Sequence, residues 1–359
     1  MASKSRVRNS NIELLRLFCM FLIILHHFSV HGVDIAGWDQ VHSSLINKII
    51  AELLSFGGRP AVIVFMLISG YFLVTSKHSG NLKKALQLWL EVWFYSVGVY
   101  LVLVLVNAKS FAIGTFVKAC LPITFDQYWF ITGYFLIYLL SPYLNKILLN
   151  CSKKEFVYLL LFLGTIETLI PTFLDVWIDS GSVLLFAYFY AIGAFIRLYG
   201  ADYDLAKIGK LLWTASLALM FLSVITLNLI TAIFKVEVFA DHATHFLSVY
   251  SILVLMFAIG LFLTCLTATA WHSSAVNFVS KSAFAIYLIH DNRNFREVLW
   301  QDILHVHSLQ NSHFLLLYGL CDTVLIFLAC ILLDIALCEV GTLLKEFKLK
   351  SRKVNRSSY

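Results

Sequence analysis

Two ionisable residues stand inside the first apolar block of the sequence, Arg16 and His27. They are eleven positions apart, and eleven steps of about 100° return almost to the same helix face, about 16 Å further along the axis. One face of a helix would then carry a fixed cation at one end. At the other end it would carry an imidazole, a group able to take up and release a proton. Glu13, one turn before Arg16, has the spacing to pair with the guanidinium or orient it, and His26 points about a quarter turn away. A bland arrangement accounts for the same spacing: Arg16 snorkels to the headgroups and His27 rests in the opposite interface.

A charge deep in a bilayer costs several kcal/mol unless it is partnered or faces a wet cavity, so other polar residues in apolar blocks are candidates too. His290 closes the run Ser282–Asp291 at the level of His27, either as an interface residue or as part of the same site. Glu167 and Asp322 fall in the same half of their spans, where they would face a cavity or pair with a hydroxyl. Glu91 and Asp334 lie near the opposite ends, solvated or paired. Tyr128-Trp129-Phe130 suits an aromatic belt and equally a sugar platform. The seven cysteines are scattered, without CxxC or Cys/His ligand spacing, so neither a metal site nor a disulfide framework is expected.

The elements that must position these residues follow from composition. Of 359 residues, 60% are apolar and 13% charged, whereas a soluble domain carries about 25% charged residues. The apolar residues fall in blocks of roughly 17 to 25, the length of a membrane-spanning helix. Barrel strands would alternate apolar and polar over about ten residues, and Phe18 to Leu25 does not. The expected fold is an all-α integral membrane protein, one bundle of about ten transmembrane helices. The spans are placed near 12–30, 61–76, 86–106, 128–148, 155–174, 182–199, 210–234, 246–270, 275–290 and 313–341. Residues 43–56 read as an amphipathic helix lying in the interface, and 292–311 as a similar cap. Ser69-Gly70 suits close helix approach, and Ser141-Pro142 a kink.

With a cytoplasmic N-terminus, this layout puts 19 Lys and Arg residues on inner segments and 7 on outer ones, with Arg16 completing the 27. That is the positive-inside bias, so both termini are expected in the cytoplasm. The net charge of +6 tracks membrane sidedness, and no nucleic-acid partner is expected. The first block is not a cleavable signal: it is long, lacks a small-residue cleavage site and contains Arg16, His26 and His27. The whole chain, 1–359, reads as a single domain with its core at about 10–341 and a basic tail at 342–359. A multi-pass protein of the cell membrane is expected.

Four blocks resemble acyltransferase family 3. Ile12-Glu13-x-x-Arg16 followed by ten residues and His27 is similar to the family's Arg/Lys-x10-His motif. Phe65-Met66-Leu67-Ile68-Ser69-Gly70-Tyr71 is similar to its FFxISGF segment. Tyr128-Trp129-Phe130-Ile131 with Tyr138 and Pro142, and Ile286-Tyr287-Leu288-Ile289-His290, continue the match in family order. The resemblance implies about ten transmembrane helices, and transfer of acetyl or sometimes succinyl groups from cytoplasmic acyl-CoA to surface polysaccharides or lipid-linked sugars. It implies that Arg16 and His27 are the essential pair, with Glu13 beside them. Many members carry Arg-x-x-Arg at the inner start of the third span. Here Lys83-Lys84 stands closest, and lysines bind phosphate as point charges without the guanidinium fork.

From these residues we expect acetyl-CoA or another short acyl-CoA as donor, its phosphates near Lys83, Lys84 and Arg16. His27 would act as general base on the acceptor hydroxyl, and His290 and Trp129 would contact the acceptor glycan. A non-enzymatic glycan translocator and a polysaccharide polymerase are the rivals. Translocators often show paired repeats, and none is evident.

Overall fold

The computed structural model describes residues 9–38, 44–174, 176 and 181–357. Among them there is no strand. The helices are α1 (Ser10–His27), α2 (Leu45–Leu54), α3 (Gly58–Leu73), α4 (Leu82–Leu105), α5 (Ile113–Cys120), α6 (Trp129–Asn150), α7 (Lys153–Gly164) and α8 (Ile170–Leu174). They continue as α9 (Gly181–Tyr199), α10 (Leu205–Phe234), α11 (Val238–Asp241), α12 (Ile252–Thr267), α13 (Ser274–Val279), α14 (Ala283–His290) and α15 (Leu315–Ser357). The protein is an all-α integral membrane protein. Large apolar side chains are exposed along α4, α10 and α15, among them Leu101, Leu222 and Leu332. Such a surface is stable only against hydrocarbon, where helices satisfy every backbone group internally.

Among the described residues, eight helical segments are long and apolar enough to cross a membrane. Two expected spans fall outside that set for different reasons. α6 is 22 residues long, enough for about 33 Å, but Tyr134, Tyr138, Ser141, Pro142 and Asn145 dilute its hydropathy. The span expected at 275–290 is broken into α13, a 3-10 turn at Ser280–Ser282, and α14.

α3 is the hub, packing on α1, α9 and α12. Its approach to α9 depends on glycine. A Cβ on Gly70 would collide with the Tyr190 carbonyl, and one on Gly193 with the Leu67 carbonyl. Backbone against backbone cannot yield, so small residues are required where the two helices cross. The same device brings α1 to α3, because a side chain at Gly58 would occupy the space of the His26 ring.

The interfacial helix expected at 43–56 is corrected. Its described part, α2, packs against α10 and α15 and runs through a 3-10 turn directly into α3. The polar face points inward: Asn47, Lys48 and Glu52 are buried while Leu45 and Ile46 are exposed. Each buried group has a partner, as low-dielectric surroundings require. Asn47 Nδ2 donates to the carbonyls of Gln310 (2.8 Å) and Ser312 (3.0 Å). Asn228 of α10 donates to the Glu52 carboxylate, and Lys48 lies 3.8 Å from it. Lys48 is thus an internal charge and not a loop charge. The expected cap at 292–311 is present as a π turn (Val298–Ile303) and a 3-10 turn (Val306–Asn311). Gln301 and Gln310 pin it to the carbonyls of His31, Gly32 and Val33 at the end of α1. Lys4, Arg6, Arg8 and the side chains of the basic tail beyond Leu343 lie outside the described residues.

Candidate active site

α1 presents its polar stripe to the interior of the bundle. Arg16 and Met20 line one cavity of about 330 Å³; Ile23, His27 and His31 line a second of about 230 Å³. These positions repeat at helical spacing on one face, as the sequence requires. Tyr287 of α14 lines both cavities. Its ring stands edge-on to Phe130 of α6, centroids 6.0 Å apart, so an aromatic pair marks the boundary between them.

At the first cavity Arg16 Nη1 donates to both oxygens of Glu13, at 3.1 and 3.3 Å. Glu13 is buried and Arg16 is 30% exposed, so a buried carboxylate fixes a guanidinium that reaches into open space. Lys281, between α13 and α14, lines the same cavity and an adjoining one of about 440 Å³. Lys83 and Lys84 do not line it; both are exposed in the first turn of α4, one helical turn before Leu88, which does.

At the second cavity the hydrogen bonds settle which nitrogen carries a proton. His290 Nδ1 lies 2.6 Å from the Ile286 carbonyl. A carbonyl only accepts, so Nδ1 carries the hydrogen. In a neutral ring His290 Nε2 is then an acceptor, and its partner at 3.0 Å, His27 Nδ1, must donate. A neutral His27 held this way keeps its lone pair on Nε2. The Asp291 carboxylate lies 3.6 Å from His27 Nδ1. A proton taken up at Nε2 would therefore meet a counter-charge on the far side of the ring, an arrangement suited to a general base.

Asp291 is itself held by Arg296 Nη2 at 2.6 Å. Tyr128 fixes the segment that carries these groups. Its hydroxyl donates to the Leu288 carbonyl (2.9 Å) and accepts from Asn292 Nδ2 (2.7 Å). His26 Nδ1 donates to the Ser55 carbonyl at 2.8 Å, and its ring also lines the second cavity. The ligating atoms of His27, His31 and Asp291 lie within 4.8 Å of one another, but a cation there would have to compete with Arg296 for Asp291.

Of the residues expected at the site, Arg16, His27 and Trp129 line cavities and Glu13 is buried behind Arg16. His290 is fully buried and stands behind His27, away from the cavity wall. Glu167 is buried, while Asp334 accepts a hydrogen bond from Tyr95 at 2.5 Å and Glu91 lines the first cavity. Asp291, Arg296, His31 and Arg59 were not singled out as site residues. Asp291, Arg296 and His31 lie close in sequence to His290 and His27, whereas Arg59 gave no signal beyond its place among the outer-segment charges.

A family model described as an acyltransferase domain matches residues 9–335. The chain is a member of acyltransferase family 3. The match runs from the cap of α1 into α15 and so takes in both cavities. No curated protein and no solved structure is matched. The acyltransferase family 3 assignment makes this a membrane acyltransferase.

Proposed function

We propose that the protein moves an acetyl or other short acyl group from cytoplasmic acyl-CoA to a hydroxyl of a surface polysaccharide or lipid-linked glycan. The observation that carries this reading is the tautomer chain Ile286–His290–His27, which leaves the lone pair on Nε2 of a ring that lines a cavity. Acyl-CoA is multiply charged, so its phosphates stay at the mouth of the Arg16 cavity, near Lys281 and, further out, Lys83 and Lys84. The thin pantetheine arm carries the thioester past Met20 and Tyr287.

The transfer balances without a cofactor. His27 Nε2 takes the proton of the acceptor hydroxyl as its oxygen attacks the thioester carbonyl. The tetrahedral adduct collapses, the C–S bond breaks, and the imidazolium returns the proton to the departing sulfur. Products are the ester and free CoA. Arg16, oriented by Glu13, holds the donor. On this reading the Arg16 end of α1 faces the cytoplasm, both termini lie there, and the His27 cavity opens to the opposite side of the cell membrane.

Membranes containing the protein should pass label from acetyl-CoA into glycan, and a deletion strain should lack one glycan ester by mass spectrometry. His27→Ala should abolish the label with membrane abundance unchanged. Normal labelling by that variant would remove the mechanism. Loss of glycan export without loss of labelling would favour a translocator.

A further inference from the structure

Arg59 stands in the first turn of α3. Its guanidinium lies 5.5 Å over the Trp129 ring, the geometry of a cation–π contact. It lines the His27 cavity and also a larger adjoining one of about 560 Å³, and Trp129 is shared by both as well. Among the described residues no carboxylate lies within ion-pair distance of it. Arg296, the other guanidinium at this site, is already matched by Asp291.

The two cavities are lined by two guanidinium groups, Arg59 and Arg296, and two carboxylates, Asp291 and Asp241, of which Asp291 is taken by Arg296. His242, His245 and Tyr250 also line the larger cavity, where His242 Nδ1 lies 2.7 Å from the Val238 carbonyl and His245 Nε2 3.0 Å from the Thr172 carbonyl. The N–H donors of a guanidinium match the oxygens of an anion.

We infer that the acceptor carries an anionic group, a sugar carboxylate or a sugar-linked phosphate, which Arg59 holds in the outer vestibule so that the neighbouring hydroxyl meets His27. This rests on the acyl-transfer reading and adds the acceptor's charge to it. Arg59 is a binding residue in this account; the chemistry stays with His27.

The test uses membranes from a deletion strain of the source organism, complemented with the wild-type or a variant gene, and labelled acetyl-CoA. Labelled glycan from wild type should be retained on an anion exchanger. Loss of retention after mild acid would identify a phosphate, and loss after carbodiimide and borohydride reduction a carboxylate. With the extracted acceptor fraction titrated, Arg59→Gln should raise the half-saturating acceptor concentration about tenfold or more, with the saturated rate within about twofold. Half-saturation by acetyl-CoA should not move, and Arg59→Lys should recover part of the loss. Variant abundance and size in detergent provide the folding check. Label in the neutral fraction, unchanged acceptor saturation, or a fallen saturated rate at unchanged half-saturation would each overturn the inference while leaving acyl transfer standing. Absence of wild-type labelling, or labelling by His27→Ala, would instead sink the transfer reading and this inference with it.

Discussion

At the residue scale the proposed transfer turns on one proton. Asp291 stands 3.6 Å behind the ring that must become positive, so Asp291→Asn removes the counter-charge without much change in shape. Two unit charges about 4 Å apart interact by roughly 1 to 4 kcal/mol between bulk water and a partly desolvated site, and each 1.36 kcal/mol is tenfold in rate. The turnover of Asp291→Asn should fall roughly 10- to 100-fold, with half-saturation by acyl-CoA little changed; a steady-state assay at saturating donor reads it. Unchanged turnover would mean that His27 needs no counter-charge.

Tyr128→Phe probes a different link. It deletes a hydroxyl serving two buried partners, Leu288 and Asn292, and an orphaned buried polar group costs about 1–3 kcal/mol. The variant should melt lower in detergent and lose activity by misplacing α14. The stripe from Arg16 to His27 was legible in sequence because helical spacing is a local property. The bond from His27 to His290 joins residues 263 apart, and no periodicity reports a partner that distant. Asp291 and Arg296 were hidden for the same reason.

At the scale of elements, close packing by glycine separates positions that look alike in the sequence. Gly70 faces the Tyr190 carbonyl, whereas a Cβ on Gly98 of α4 would meet nothing within 4 Å. Gly70→Ala forces α3 from α9 and should destabilise by about 1–3 kcal/mol, the usual cost of overpacking. Gly98→Ala should be neutral or slightly stabilising, since alanine is the better helix former. Thermal melts of the two purified variants test the contrast, and equal melting points would contradict the α3–α9 crossing.

α2 shows where pattern reading stops. Its amphipathic spacing was visible, but spacing carries no sign telling which face meets the core. Lys48 and Glu52 pointed to water on sequence grounds; Asn228, far along the chain, supplies the partner that lets them turn inward. The break between α13 and α14 was equally hidden, because Ser280–Ser282 interrupts an otherwise apolar block by only one 3-10 turn.

For the whole molecule, composition alone indicated a helical membrane protein, because so few charges cannot cover a soluble surface. The number of crossings is subtler, with α6 the deciding element. If α6 crosses, reporters at Asp126 and Cys151 should lie on opposite sides of the membrane; impermeant labelling on one side only would read this, and both on one side would contradict it. Tyr287 lines both cavities; the proposed transfer divides the labour between them, donor at the Arg16 end and acceptor at the His27 end.

Sealed inside-out vesicles from cells carrying the protein, with natural acceptor enclosed, test that division most directly. Labelled acetyl-CoA supplied outside, at the cytoplasmic face, should acylate the enclosed glycan with wild-type protein and fail to do so with His27→Ala. Label reaching glycan only after the vesicles are opened would contradict transfer through the bundle.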